Sequence, residues 1–193
     1  MRNALVVGDR VYLRPLETSD AEGLARDFSE EAETFMYRGR IPVSPLAFAH
    51  WIEKQHTSHP PAEVNLVVCL RAGEEADRMI GLVNVDHIDW LNRTSETGSI
   101  LLPARFRGQG YGTEAKHLLL EYAFDRLHLH VLRSHVWEPN GRSAAALVKQ
   151  GYRPAGRLKW DDVKHGIYRD TLVFDVLREE WLQARAAWKA SRF

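Results

Sequence analysis

Arg107-Gly108-Gln109-Gly110-Tyr111-Gly112-Thr113 sets three glycines within five residues at the foot of a helical pattern, an arrangement whose chemistry is anion binding. From Glu114 onward, Ala115, Leu118, Leu119, Tyr122, Ala123 and Leu127 recur at helical spacing, with Glu114, His117, Glu121 and Asp125 opposite. The loop therefore ends at a helix N-terminus. Unpaired N–H groups and the positive end of the helix dipole converge there, and glycines let the oxygens of a phosphate approach the backbone. A nucleoside-triphosphate loop would close on Gly-Lys-Ser/Thr, whereas Gly112 is followed by Thr113 and Glu114. A dinucleotide fingerprint would read Gly-x-Gly-x-x-Gly after a first strand; this one reads Gly-x-Gly-x-Gly beyond mid-chain. A tight strand-to-helix turn with no ligand is the plainer alternative.

The stretch resembles the acyl-CoA pyrophosphate loop of the GNAT acetyltransferase superfamily, whose Arg/Gln-x-x-Gly-x-Gly/Ala pattern falls on Arg107, Gly110 and Gly112. Gly8-Asp9-Arg10-Val11-Tyr12-Leu13-Arg14-Pro15-Leu16, with Thr18-Ser19-Asp20 after it, is similar to the first strand and first helix start of that family. Glu138-Pro139-Asn140-Gly141-Arg142-Ser143 and Gly151-Tyr152-Arg153-Pro154-Ala155-Gly156 resemble its ribosomal-protein N-acetyltransferase-like (Rim-type) branch, as do Gly166 to Asp170 and Leu177 to Trp181. The likeness spans nearly the whole chain.

The resemblance implies an α/β fold: a mostly antiparallel sheet with helices on both faces, in which parallel strands near 96–102 and 130–137 splay apart. Separated strands leave backbone donors and acceptors for the amides of a pantetheine arm. It also implies acetyl-CoA as acyl donor, held by Arg107, Gly108, Gln109, Gly110, Tyr111, Gly112 and Thr113, with Asn140 on a pantetheine amide or capping a helix. An amine attacking a thioester must first lose a proton, and the departing thiolate must gain one. Glu96 is the first candidate for the base, since it opens the segment leading to the glycine loop and shares strand parity with Ile100 and Leu102. Asp86 and His87 are the alternatives, but they point to opposite faces of one strand, so at most one lines the site unless a bulge intervenes. The family's usual acid, a tyrosine seven residues after the asparagine, is Leu147 here. In the Rim-type branch a serine three residues after the asparagine is the substitute, which falls on Ser143; simple helix capping is its other reading. A protein N-terminus, polyamine, amino acid or aminoglycoside-like amine would serve as acceptor. The reading from a different class is a non-catalytic acyl-CoA-binding or regulatory module.

These residues need elements to hold them. Periodicity and punctuation predict strands near 10–15, 64–70, 79–90, 96–102 and 130–137, a final hairpin of 152–160 with 167–177, and helices near 19–28, 45–56, 114–127, 142–150 and 179–190. At 193 residues and 45% hydrophobic content, one domain over 1–193 is expected. Lys plus Arg and Asp plus Glu both number 26, so composition gives no reason to expect a nucleic-acid partner or an anionic membrane surface. No signal peptide is visible, no run approaches the roughly 18–20 apolar residues of a membrane span, and the single cysteine, Cys69, has no partner for a disulfide, all pointing to the cytoplasm. His128, His130 and His135 lack the spacing and companions of a metal site, so no metal is expected. Trp181 and Trp188, seven apart, read as core or as the contact of a homodimer. Finally, Glu30, Glu31 and Glu33 precede Phe35, Met36, Tyr37 and Arg38 in the connection between the first two helices, which the resemblance places beside the acceptor pocket; a solvated charged face is the plainer reading, and a reader of a cationic acceptor over segment 29–45 the other.

Overall fold

The computed structural model describes residues 1–30, 44–55, 57, 59–164 and 166–191. The stretch from Glu31 to Arg38 lies outside them; Glu30 is exposed at the end of its helix. Strands β1 (Val6–Val7), β2 (Val11–Pro15), β3 (Val64–Leu70), β4 (Met79–Asp89), β5 (Thr94–Leu101), β6 (Val131–Trp137), β7 (Arg153–Lys164) and β8 (Ile167–Leu177) hydrogen-bond in the order β1-β2-β3-β4-β5-β6-β8-β7. The pairing of β5 with β6 is parallel; β1/β2, β2/β3, β3/β4, β6/β8 and β7/β8 are antiparallel. Among the described residues five α-helices accompany the sheet in this mixed α/β fold: α1 (Ala21–Glu30), α2 (Pro45–Gln55), α3 (Tyr111–Glu121), α4 (Gly141–Lys149) and α5 (Arg178–Ala190). The residues group into two compact units, Met1–Val85 with Ser99–Leu119 and Asp86–Gly98 with Leu120–Phe193.

In the first unit, β3 is the strand its apolar run implies, with Leu66 through Leu70 all buried. Ala21, Leu24, Ala25 and Phe28 recur at helical spacing and put one face of α1 into a core shared with Tyr12, Val67, Cys69 and Leu102. Phe28 stacks on Phe48 of α2 at 5.5 Å between ring centroids. Ahead of α1, Asp20 accepts from Arg14 through both carboxylate oxygens, at 2.8 and 2.7 Å, and from the Glu17 N–H at 2.9 Å. Burial opposes that charge, but Arg14 and the Glu17 N–H outweigh it and hold the Asp20 carboxyl below its ordinary range. Burial likewise pushes the Cys69 thiol up, which disfavours its thiolate.

Helix α3 departs from its reading as an amphipathic helix with a polar side. It starts at Tyr111 rather than Glu114, because a first turn needs no apolar stripe, and ends in a π-turn over Tyr122–Arg126. Within the first unit Ala115, Leu118 and Leu119 are buried, as the stripe requires, but so are Glu114, Lys116 and His117. The start of the polar side is inside, while Glu121 is half-buried and Asp125 exposed. Burial lowers the Lys116 ammonium from 10.5 to about 7.

In the second unit, Trp181 is fully buried against Phe124, with the ring centroids 5.5 Å apart, whereas Trp188 is half-buried. The parallel ladder joins Thr94, Ser95 and Glu96 to Val131, Leu132 and Arg133. At the next residue side chains take over. Thr97 Oγ1 donates to the Arg133 carbonyl at 3.0 Å, Ser134 Oγ donates to the Thr97 carbonyl at 2.7 Å, and the buried Tyr152 hydroxyl lies 2.6 Å from Thr97 Oγ1. Burial is the larger influence on the Tyr152 phenol and raises it despite that hydrogen bond.

Candidate active site

The glycine loop belongs to the first unit. Pro103 begins a short 3-10 turn over Ala104–Phe106, after which the Arg107 side chain donates from Nε to the Leu101 carbonyl at 2.9 Å. Gly108 and Gly110 then adopt φ of +76° and +84°, in the region that a side chain makes costly. Gly112 already lies inside α3 with ordinary backbone angles. The N–H groups of Tyr111, Gly112 and Thr113 occupy the first turn, where no carbonyl lies one turn earlier to receive them; the first such bond is Glu114 N to the Gly110 carbonyl, 3.1 Å. Three donors and a helix dipole thus face an exposed loop.

Arg10 braces this loop from the start of β2. Its Nη1 donates to the Gln109 carbonyl at 2.9 Å, its guanidinium lies 4.8 Å above the Tyr111 ring, and its Nε is 3.2 Å from Glu114 Oε2. Glu114 in turn accepts the main-chain N–H of Arg10 at 2.7 Å and of Val11 at 3.3 Å. A carboxylate in the first turn would compete with a phosphate for the helix dipole, but here its charge is directed at Arg10. A Cβ on Gly110 would come within 2.9 Å of Arg10 Nη2, and its φ is unsuited to a side chain in any case. Gly110→Asp is therefore expected to weaken acetyl-CoA binding in isothermal titration by at least about tenfold, from lost approach space and added negative charge. Parental affinity in a folded variant would remove the loop from the binding site.

The other candidates lie in the second unit. Asn140 is the N-cap of α4: its Oδ1 accepts the Ser143 N–H at 3.2 Å, and its carbonyl accepts from Ser143 and Ala144 at 3.0 and 3.2 Å. Ser143 stands three residues into the helix, so the cap is the asparagine. Leu147, at the tyrosine position of the family, is a buried core residue. The Glu96 carboxylate is partly exposed, and its Oε2 lies 3.1 Å from His135 Nδ1 and 3.7 Å from His87 Nδ1. His87 has a φ of +50°, so strict strand alternation fails there; Asp86 has its carbonyl bound by the Ser95 hydroxyl. Among the described residues no group of three or more His, Cys, Asp or Glu side chains is placed to hold a metal, and no helix is long and apolar enough to cross a membrane.

Sequence reading missed Arg10 and Glu114 as parts of the loop and weighed His135 only as a metal ligand. Arg10 and Glu114 are 104 residues apart, and only a first-turn glutamate hinted at the pair. The alternation of β6 could have placed His135 on the same side as Arg133, the register partner of Glu96.

A family model described as an acetyltransferase (GNAT) domain matches residues 10–153. Among curated proteins, the probable N-acetyltransferase YjcK of Bacillus subtilis is 27% identical over 187 residues, covering 91% of this chain and 98% of its own length. Spermidine N(1)-acetyltransferase of Vibrio cholerae is 24% identical, covering 91% of this chain and 98% of its own. Among solved structures, spermidine N-acetyltransferase from Vibrio cholerae in complex with CoA and spermine shares the fold, with a TM-score of 0.79 at 23% identity over 91% of this chain and 99% of that one.

Proposed function

Because the chain belongs to the GNAT acetyltransferase family, and is thereby an acetyl-CoA-dependent N-acetyltransferase, we propose that it acetylates a primary amine by direct attack on the thioester. The observation that carries this reading is the loop itself, two glycines at positive φ opening onto the unfilled N–H groups of α3, which suits the pyrophosphate of acetyl-CoA. Asn140 and the end of the β5/β6 ladder, where main-chain pairing stops at Glu96 and Arg133, would engage the pantetheine amides. Glu96 would accept the proton of the incoming ammonium. Ser143 would donate to the departing thiolate, since Asn140 already supplies the helix cap. The acetyl carbonyl carbon gains the amine nitrogen and loses the sulfur, and no acyl group passes through the protein.

For the acceptor, the relatives include a spermidine acetyltransferase, and a polyamine fits the acidic and aromatic make-up of segment 29–45 as well as a protein N-terminus does. The test is thiol release from acetyl-CoA across spermidine, Ala- and Ser-starting peptides, free amino acids and kanamycin. Release with one of these is expected. Acetyl-CoA binding without release across the panel would favour the acyl-CoA-binding module, a reading that Leu147 in the tyrosine position keeps in view. Ser143→Ala should lower kcat about 10- to 100-fold with little change in the acetyl-CoA KM. An unchanged kcat would take Ser143 out of the chemistry.

A further inference from the structure

Three neighbouring strands of the second unit converge on one carboxylate oxygen: β5 supplies Glu96, β6 supplies His135 at 3.1 Å, and β4 supplies His87 at 3.7 Å. His87 reaches this position from a left-handed backbone conformation, at φ +50°, that a histidine adopts at some cost. We propose that Glu96 works as one member of a carboxylate–imidazole unit in which His135 orients the carboxylate and carries away the proton it receives, with His87 as the flanking imidazole. The inference rests on the reading of Glu96 as base.

A carboxylate alone is a weak acceptor for the proton of an alkylammonium ion, and once protonated it must be emptied before the next turnover. An imidazole has two ring nitrogens, so it can take a proton at one face and release it at the other. The steps balance. The ammonium gives one proton to a Glu96 oxygen, the Glu96 O–H gives it to His135 Nδ1, and the imidazolium so formed gives a proton to water, exchange with solvent leaving Nδ1 bare for the next cycle; the freed lone pair forms the C–N bond as the C–S bond breaks, and a second proton from the amine nitrogen replaces the one that Ser143 gives the thiolate. His135 is about one-third exposed, which leaves a path to solvent. By strand register the neighbouring charged residues include Arg133 on β6, Asp175 on β8 opposite it, and Arg153 on β7 opposite Asp175, while Asp86 adjoins His87 on β4. Arg153 is engaged by Glu180 at 2.8 Å, and β8 offers only Val173 directly opposite His135.

His135 acts through Glu96 and is a positioning residue, so the decisive readout is the pH profile of kcat/KM, measured with the amine that releases thiol fastest in the panel above. His135→Asn and His135→Gln should lower kcat about tenfold and displace the rising limb, with acetyl-CoA affinity unchanged as the check on folding. His87→Asn should have a smaller effect in the same direction. If both His135 variants bind acetyl-CoA normally and keep the parental limb while Glu96→Gln flattens it, Glu96 is the base and the imidazole partnership is wrong. If Glu96→Gln also keeps the limb and the rate, the base itself is misassigned, and the partnership fails with it.

Discussion

Replacing Glu114 with alanine is expected to cost roughly 2–4 kcal/mol of stability and most of the affinity for acetyl-CoA. Its carboxylate accepts two main-chain N–H groups at the start of β2 and the Arg10 Nε, all at a site where the glutamate is about 1% exposed. Removing it strands donors that folding has taken out of water, the costly direction for a buried hydrogen bond. Breaking a buried ion pair typically costs about 3–5 kcal/mol. Arg10 is about 41% exposed, so screening trims the charge component and the lower part of that range applies. The effect on binding follows because Arg10 also holds the Gln109 carbonyl and covers Tyr111. Urea denaturation reads the first loss and isothermal titration the second. Glu114→Gln, which keeps one acceptor oxygen, should fall between the parent and the alanine variant. An alanine variant with parental urea midpoint and affinity would show that the brace is idle.

Lys116→Met is expected to change how stability depends on pH, because methionine fills similar space and has no proton to gain or lose. The folded ammonium titrates at about 7 against an ordinary 10.5, so between those values the unfolded chain binds a proton that the folded chain does not. Stability of the parent therefore rises with pH across that window, while below about 7 both states are protonated and the full penalty stands. Relative to the parent, the variant should fare best below neutrality and lose ground toward pH 10. Comparing parent and variant at each pH cancels the other titrating groups. A gap that stayed constant from pH 6 to 10 would show that Lys116 keeps its proton when folded.

Much of the architecture is legible because it is written locally. Val64 to Leu70 is an apolar run that can only be satisfied as a covered strand, and Asn140 followed by a helical stripe starts α4 where a cap should. Gly108, Gly110 and Gly151 mark the turns that need positive φ. What stays hidden depends on partners far away in sequence. Glu114 and Lys116 look solvated by spacing alone, and nothing near position 114 announces that a main chain 104 residues earlier will claim its carboxylate. His87 defeats the alternation rule for a different reason: one residue at φ +50° resets which side of the strand its neighbours face.

The point where β5 and β6 cease to pair is held by three hydroxyls, those of Thr97, Ser134 and Tyr152, instead of by a proline, a bulge or an inserted loop. Hydroxyls are lost one codon at a time: Thr to Ile, Ser to Ala and Tyr to Phe each take a single base change from most codons of the starting residue and leave the chain length untouched. A lineage carrying this arrangement can therefore alter how far two strands stay zipped by drift at three positions, keeping every downstream residue in frame and in register.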